Sequence, residues 1–282
     1  MKFESLARIP PWEWPEDAGR TILKVLRDNQ AKESERLLAA EMAAEIVVIN
    51  DELADNLLAV VHDGGQTEKL RGAAAIALGP MLELANAEGF DGPPGPEGFE
   101  DEDAVPITEN TFKRIQDSLR ELYHDAQIPK LVRRRVLEAA VRAPQDWQRD
   151  AIRAAYQSGA PDWVLTAVFG MAHVKGFERE IVQSLDSKDP LIVREAVFAA
   201  GNWELSKTWP RIEAILTSKQ PDKLLLLAAM EAAAVIRPEE AGPLLAAFTD
   251  HPDEEISDAA YEAMMMAEGC SEDGSGFDGE DS

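Results

Sequence analysis

A chain of 282 residues, 45% hydrophobic and 29% charged, is long enough for one extended domain with a continuous core. Its formal net charge of −25 argues against a nucleic-acid or anionic-membrane surface, because neutralising phosphates takes clustered Lys and Arg; a basic protein is the partner that charge favours. The single cysteine, Cys270, excludes an intrachain disulfide, and the amino end (Met1-Lys-Phe-Glu-Ser-Leu-Ala-Arg) lacks the apolar core of a signal peptide. The apolar run Leu224 to Met230 stops at Glu231, far short of a membrane span, so the expected setting is cytoplasmic.

Ile9-Pro-Pro-Trp-Glu-Trp-Pro15 forbids a helix and reads as an extended lead-in. Trp12 and Trp14 are expected to cover the end of the domain, with an aromatic docking site as the alternative. Helices follow over about 16–28, 32–48 and 51–62. The only β-like run, Glu45-Ile-Val-Val-Ile49, is flanked by helical pattern and reads as a buried helix end. Residues 1–30 thus form a capping segment and helix.

An alanine-rich helix ends near Asn86, and the composition then changes. Residues 86–110 hold eight acids, no base and a Gly/Pro-rich run, which predicts a flexible insertion within a repeat. Residues 111–155 reverse the balance, with ten bases against six acids. In this island Arg133, Arg134 and Arg135 are consecutive. Arg149 and Arg153 lie with Asp146 and Asp150 at helical spacing, an ion-paired stripe on a solvated face. The tail, 269–282, is acidic and expected to be disordered.

Along the chain one pattern returns. In Asp189-Pro-Leu-Ile-Val-Arg-Glu-Ala-Val-Phe-Ala-Ala-Gly201, Asp189 suits a helix cap and Pro190 the first turn, and Gly201 reads as a stop. Val193, Ala196, Val197 and Ala200 form an i, i+3, i+4, i+7 stripe. Equivalent stripes start at Leu70, Val132, Val164, Leu225 and Ile256, and from Val132 onward the starts are 32, 29, 32 and 31 residues apart. Pro129, Pro161, Pro190, Pro221 and Pro252 keep phase with them. Two helices in about thirty residues cannot bury their own apolar faces, so stacked neighbours must supply the core. Arg135 stands out, because it takes a slot filled by alanine at 73, 167, 196, 228 and 259. It must reach water or meet a carboxylate; either it pairs locally, or the acids of Glu100-Asp-Glu-Asp103 fold back to screen it.

Leu70-Arg-Gly-Ala-Ala-Ala-Ile-Ala-Leu-Gly79 and Val193-Arg-Glu-Ala-Val-Phe-Ala-Ala-Gly201 resemble the core of a short bacterial HEAT repeat. The resemblance spans about residues 30–268 and implies an all-α solenoid of about six stacked antiparallel helix pairs with terminal cap helices, a fold that usually serves as a binding surface. It carries over no catalytic residue.

No phosphate loop, nucleophile elbow or cysteine cluster is present, and none of His62, His124, His173 and His251 is followed by Glu, so the His-Glu pairs of HEAT-fold deoxyhypusine hydroxylases are absent. No catalytic residue, cofactor or metal is therefore assigned. The expectation is a monomeric, non-enzymatic scaffold or adaptor holding a partner protein, possibly basic, on a concave face. Its candidate contacts are Arg133, Arg134, Arg135, Arg149, Arg153, Trp203 and Trp209, the tryptophans because they flank a loop. The alternatives are an anion or nucleic-acid binder using the island at 111–155, and an accessory protein of the phycobilin-lyase type.

Overall fold

The apolar stripes supply much of the buried face of a row of first helices. In a computed structural model, residues 3–90, 105–219 and 222–274 are described, with side chains to 269. Among them there is no strand, and the fold is an all-α solenoid of stacked helix pairs. Two compact units divide the chain, residues 1–151 and 152–282.

The first unit holds α1 (Phe3–Leu6), α2 (Ala18–Arg27), α3 (Glu33–Met42), α4 (Asp51–His62), α5 (Glu68–Ala77), α6 (Gly79–Glu88), α7 (Glu109–His124), α8 (Lys130–Ala140) and the start of α9 (Asp146–Gln157). First helices α3, α5 and α8 pack in succession, and α2, α4 and α7 form the second row behind them. Asn50 and Thr67 cap α4 and α5 by accepting from Leu53 N and Leu70 N.

Two buried arginines extend this capping to the carboxyl ends. Arg36 donates through Nε and Nη2 to Leu26 O, and Arg71 through Nε to Val61 O at 2.8 Å. Each guanidinium satisfies an orphan carbonyl at the end of a second-row helix, where a cation also suits the dipole.

Several local expectations change. Trp14 closes the lead-in by donating its indole N–H to Leu6 O and Ile9 O, but Trp12 is 79% exposed and covers nothing. The run 45–49 is a turn rather than a helix end. Val48 and Ile49 are buried, whereas Ile46 and Val47 stay exposed. The first half of the run stays in water and the second is buried, as in a turn that anchors only its far side.

The second unit holds the rest of α9, α10 (Pro161–His173), α11 (Glu178–Ser184), α12 (Pro190–Asn202), α13 (Trp209–Leu216), α14 (Lys223–Ile236), α15 (Pro238–Leu245) and α16 (Glu254–Gly274). First helices α10, α12, α14 and α16 pack one on the next, while α11, α13 and α15 form the other row. Asp189 and Asp222 cap α12 and α14 by accepting from Leu191 N and Leu225 N.

Gly201 does not stop its helix. It lies inside the last turn of α12, where a Cβ would come within 3.1 Å of Ala232 Cα, so its value is close backbone approach. The helix ends instead at Trp203, followed by Glu204 at a φ of 48°, a left-handed residue that is not glycine. Helix α16 also runs to Gly274, past residue 269 where the tail was expected to begin.

No helix among the described residues is long and apolar enough to cross a membrane.

Candidate binding groove

Register links the two units. The stripes beginning at Val132, Leu225 and Ile256 place Arg135, Ala228 and Ala259 in one slot, and Glu138, Glu231 and Glu262 one turn later. Burial supports this alignment, since the following stripe positions Val136, Ala229 and Ala260 are all 0% exposed.

On α8 the slot is full. Gly72 of α5 leaves room for the arginine stem, as a Cβ there would lie 3.1 Å from Arg135 Cγ. The guanidinium then pairs with Glu138, whose side chain is only 8% exposed, and Arg134 stands 3.8 Å from the other carboxylate oxygen. Local pairing is therefore the fate of Arg135. The proposed screening segment, Glu100 to Asp103, lies outside the described residues.

In the second unit the same slot is open. Ala228 faces α12 over a hollow of about 260 Å³ whose walls include Phe198 and Glu231. Ala259 faces Leu227 of α14 over a hollow of about 760 Å³, bordered by Glu231, Asp258 and Glu262. Met266, 41% exposed, borders both, so the two form one groove along α12, α14 and α16. Neither Glu231 nor Glu262 has an ion-pair partner among the described residues. At one end Glu255 is tied to Lys223, which also holds Asp253 at 2.7 Å. The hydrogen bond to Asp253 raises the Lys223 pKa, and the same contact lowers that of Asp253. The floor of the groove is thus apolar and its rim acidic, a surface complementary to a positive group carried on an apolar stem.

A second hollow, of about 800 Å³, lies between α11 and the segment after α12. Its rim mixes Arg179 and Lys207 with Glu178 and Glu204, which selects no sign of ligand.

The expected contact residues are divided between the two units. Arg133, Arg134, Arg135 and Arg149 belong to the first unit, and Arg153, Trp203 and Trp209 to the second. Arg149 and Arg153 are exposed on α9, as a solvated stripe requires. Arg133 is half-buried on α8. It faces Tyr123, whose phenol is pushed up by burial against the opposing pull of that arginine. Elsewhere in the island Lys113, Arg114, Arg120 and Arg142 each end on a carboxylate, those of Glu109, Asp55, Asp117 and Glu83.

The tryptophans turn inward. Trp203 donates its indole N–H to Met171 O at 2.7 Å beneath Lys175, and Trp209 is 5% exposed with Arg237 over its ring. Flanking a loop did not expose them, because each ring fills the junction between consecutive repeats. The groove acids were missed for the converse reason. Glu231 and Glu262 read as ordinary polar-face residues, and the available signal was their shared register with Glu138 in the absence of an arginine.

Among the described residues no group of three or more His, Cys, Asp and Glu side chains is arranged to hold a metal ion.

No protein-family model matches the chain, and neither does any curated protein sequence. Solved structures do. The chain is similar to human deoxyhypusine hydroxylase in complex with glycerol, at 14% identity and a TM-score of 0.41, over 95% of this chain and 96% of that one. It is also similar to Escherichia coli YibA, at 14% identity and a TM-score of 0.44, over 92% and 85% of the two chains. An engineered protein matches at 16% identity and a TM-score of 0.36, over 95% and 86%.

The first of these corrects the functional expectation. Deoxyhypusine hydroxylase is an enzyme, so helical-repeat architecture is no ground for a non-enzymatic scaffold, and both that reading and the exclusion of catalysis are withdrawn. At such TM-scores the likenesses assign no reaction, substrate or metal to this chain.

Proposed function

We propose that the chain is a HEAT-type repeat protein of the cytoplasm that recognises a cationic ligand in the groove along α12, α14 and α16. One observation carries the reading. Glu231 and Glu262 border the groove without ion-pair partners, whereas the register-equivalent Glu138 is neutralised by Arg135 from the same helix. Unlike the buried Glu138, Glu231 and Glu262 are both exposed, so a positive group entering the groove meets them without displacing an internal partner. The HEAT assignment is supported by the stripes at Leu70 and Val193, and the compartment by a lone cysteine, Cys270.

The test is calorimetric titration with spermine, using a neutral glycol of equal length as control. We expect saturable binding to spermine that weakens as salt rises, and its loss on replacing Glu231 and Glu262 by lysine. Equal heats for spermine and the neutral control would remove the reading.

A further inference from the structure

Resting on that reading, we propose that the groove takes arginine side chains of a peptide, two at a time, at the slots over Ala228 and Ala259. The geometry of α8 is the template. There a guanidinium on an apolar stem lies in the slot, with its stem over Gly72 and its head on Glu138. At Ala228 and Ala259 the stem is missing, the slot is open, and the carboxylate one turn on remains. A peptide arginine restores the arrangement from outside.

Arginine rather than lysine is selected because its planar fork meets a carboxylate with two parallel N–H donors and sheds water more readily over an apolar floor. The floor supplies the second part of the match. Leu227, Ala259 and Met266 offer apolar contact to a three-carbon stem, and thioether side chains adapt to what lies on them.

Spacing follows from the stack. The slots belong to successive first helices, whose axes are about 8–10 Å apart in packed pairs. A peptide in the polyproline II form rises about 3.1 Å per residue with three residues per turn, so Arg-x-x-Arg spans about 9 Å with both arginines on one side, one for each slot.

Charge decides between occupants. Residues 91–104 and 275–282 of this chain carry acids and no base, and would repel the rim. A second copy docked through the same face would set Glu231, Asp258 and Glu262 against themselves. A separate arginine-bearing segment is the occupant that remains.

The experiment measures affinities of the full chain for capped peptides Arg-Ala-Ala-Arg, Lys-Ala-Ala-Lys and single-arginine Ala-Ala-Ala-Arg, with spermine alongside. We expect Arg-Ala-Ala-Arg to bind about tenfold more tightly than either other peptide. The decisive variant is Ala259→Arg, which sets a guanidinium one turn from Glu262 on α16 itself, with Leu227 rather than a glycine opposite. It should keep helical content while lowering Arg-Ala-Ala-Arg affinity about tenfold or more. Glu262→Gln, which changes charge and little volume, should weaken the same peptide without altering the fold. Equal affinity for the three peptides, with spermine still bound, would overturn the arginine slots and leave the cationic groove standing. Absence of binding by every cation would remove both, and undiminished peptide binding by Ala259→Arg would overturn the slot over Ala259.

Discussion

Arg135 and Glu138 lie one turn apart on α8 and close an ion pair beside Gly72 of α5. The glycine is what admits an arginine into a slot that alanine occupies in the other repeats. The carboxylate is what makes a charge tolerable there, and the benefit is mutual, since Glu138 is itself 6% exposed and needs positive charge beside it. Arg135→Ala should therefore destabilise the protein by about 1–2 kcal/mol, a figure kept low because the arginine head is 45% exposed and Arg134 remains nearby. Urea denaturation of the variant checks it. Adding Glu138→Gln should return part of the loss, since the stranded charge is then gone.

Close approach of helices has a different signature at the two tight glycines. A Cβ at Gly72 would meet the flexible stem of Arg135 and the end of Leu131, both of which can move. At Gly201 it would meet the Ala232 backbone, which cannot yield without shifting α14. Gly201→Ala should cost about 1–3 kcal/mol despite the better helix propensity of alanine. Gly72→Ala should cost less, because the propensity gain of about 1 kcal/mol offsets a movable contact. Thermal unfolding of the two variants side by side gives the comparison, and equal losses would contradict the backbone argument.

The buried arginines at the helix ends should rank in order of their hydrogen bonds. Arg36 makes two to Leu26 O and one through Nη1 to Gln66 Oε1 at 2.6 Å. Arg71 makes one to Val61 O, and its Nη2 is buried without a hydrogen-bond partner. Arg36→Met, which keeps the stem, is expected to lower stability by about 2–3 kcal/mol and Arg71→Met by about 1 kcal/mol. Chemical denaturation midpoints at constant m-value report the difference.

The Lys223–Asp253 contact sets a pH window. Asp253 has its pKa lowered below 3.8, so its contribution is present above that value and lost as pH falls through the lowered pKa. Lys223 has its pKa raised above 10.5, so its contribution is present below 10.5 and lost as pH rises through the raised pKa. The melting-temperature difference between the native chain and Asp253→Asn should thus be level between those limits and shrink beyond either. A difference that collapses near neutral pH would show that other groups control this end of α14.

Much of the architecture was legible because it is local. Asp189 and Asp222 cap the helices that follow them, and Ala196, Val197 and Ala200 of the stripe at Val193 are buried on α12, because capping and helical period depend on residues within one or two turns. Gly201 was misread for the complementary reason. A glycine near a helix end looks like a stop, and only the presence of Ala232 across the interface reveals a packing role. Trp209 was placed at the surface by its loop, but an aromatic ring of that size is taken up wherever a neighbouring repeat leaves space.

The groove shows the same division more sharply. That Arg135 breaks an alanine series, and that Glu138, Glu231 and Glu262 recur in phase, follows from counting along the chain. Whether a slot is filled or open depends on the facing helix, on Gly72 beneath Arg135 and on Leu227 opposite Ala259, more than thirty residues away in each case. Helix starts and seams are set by contacts within a few residues, whereas slots and the charges that line them belong to pairs of helices and exist only once those helices have packed.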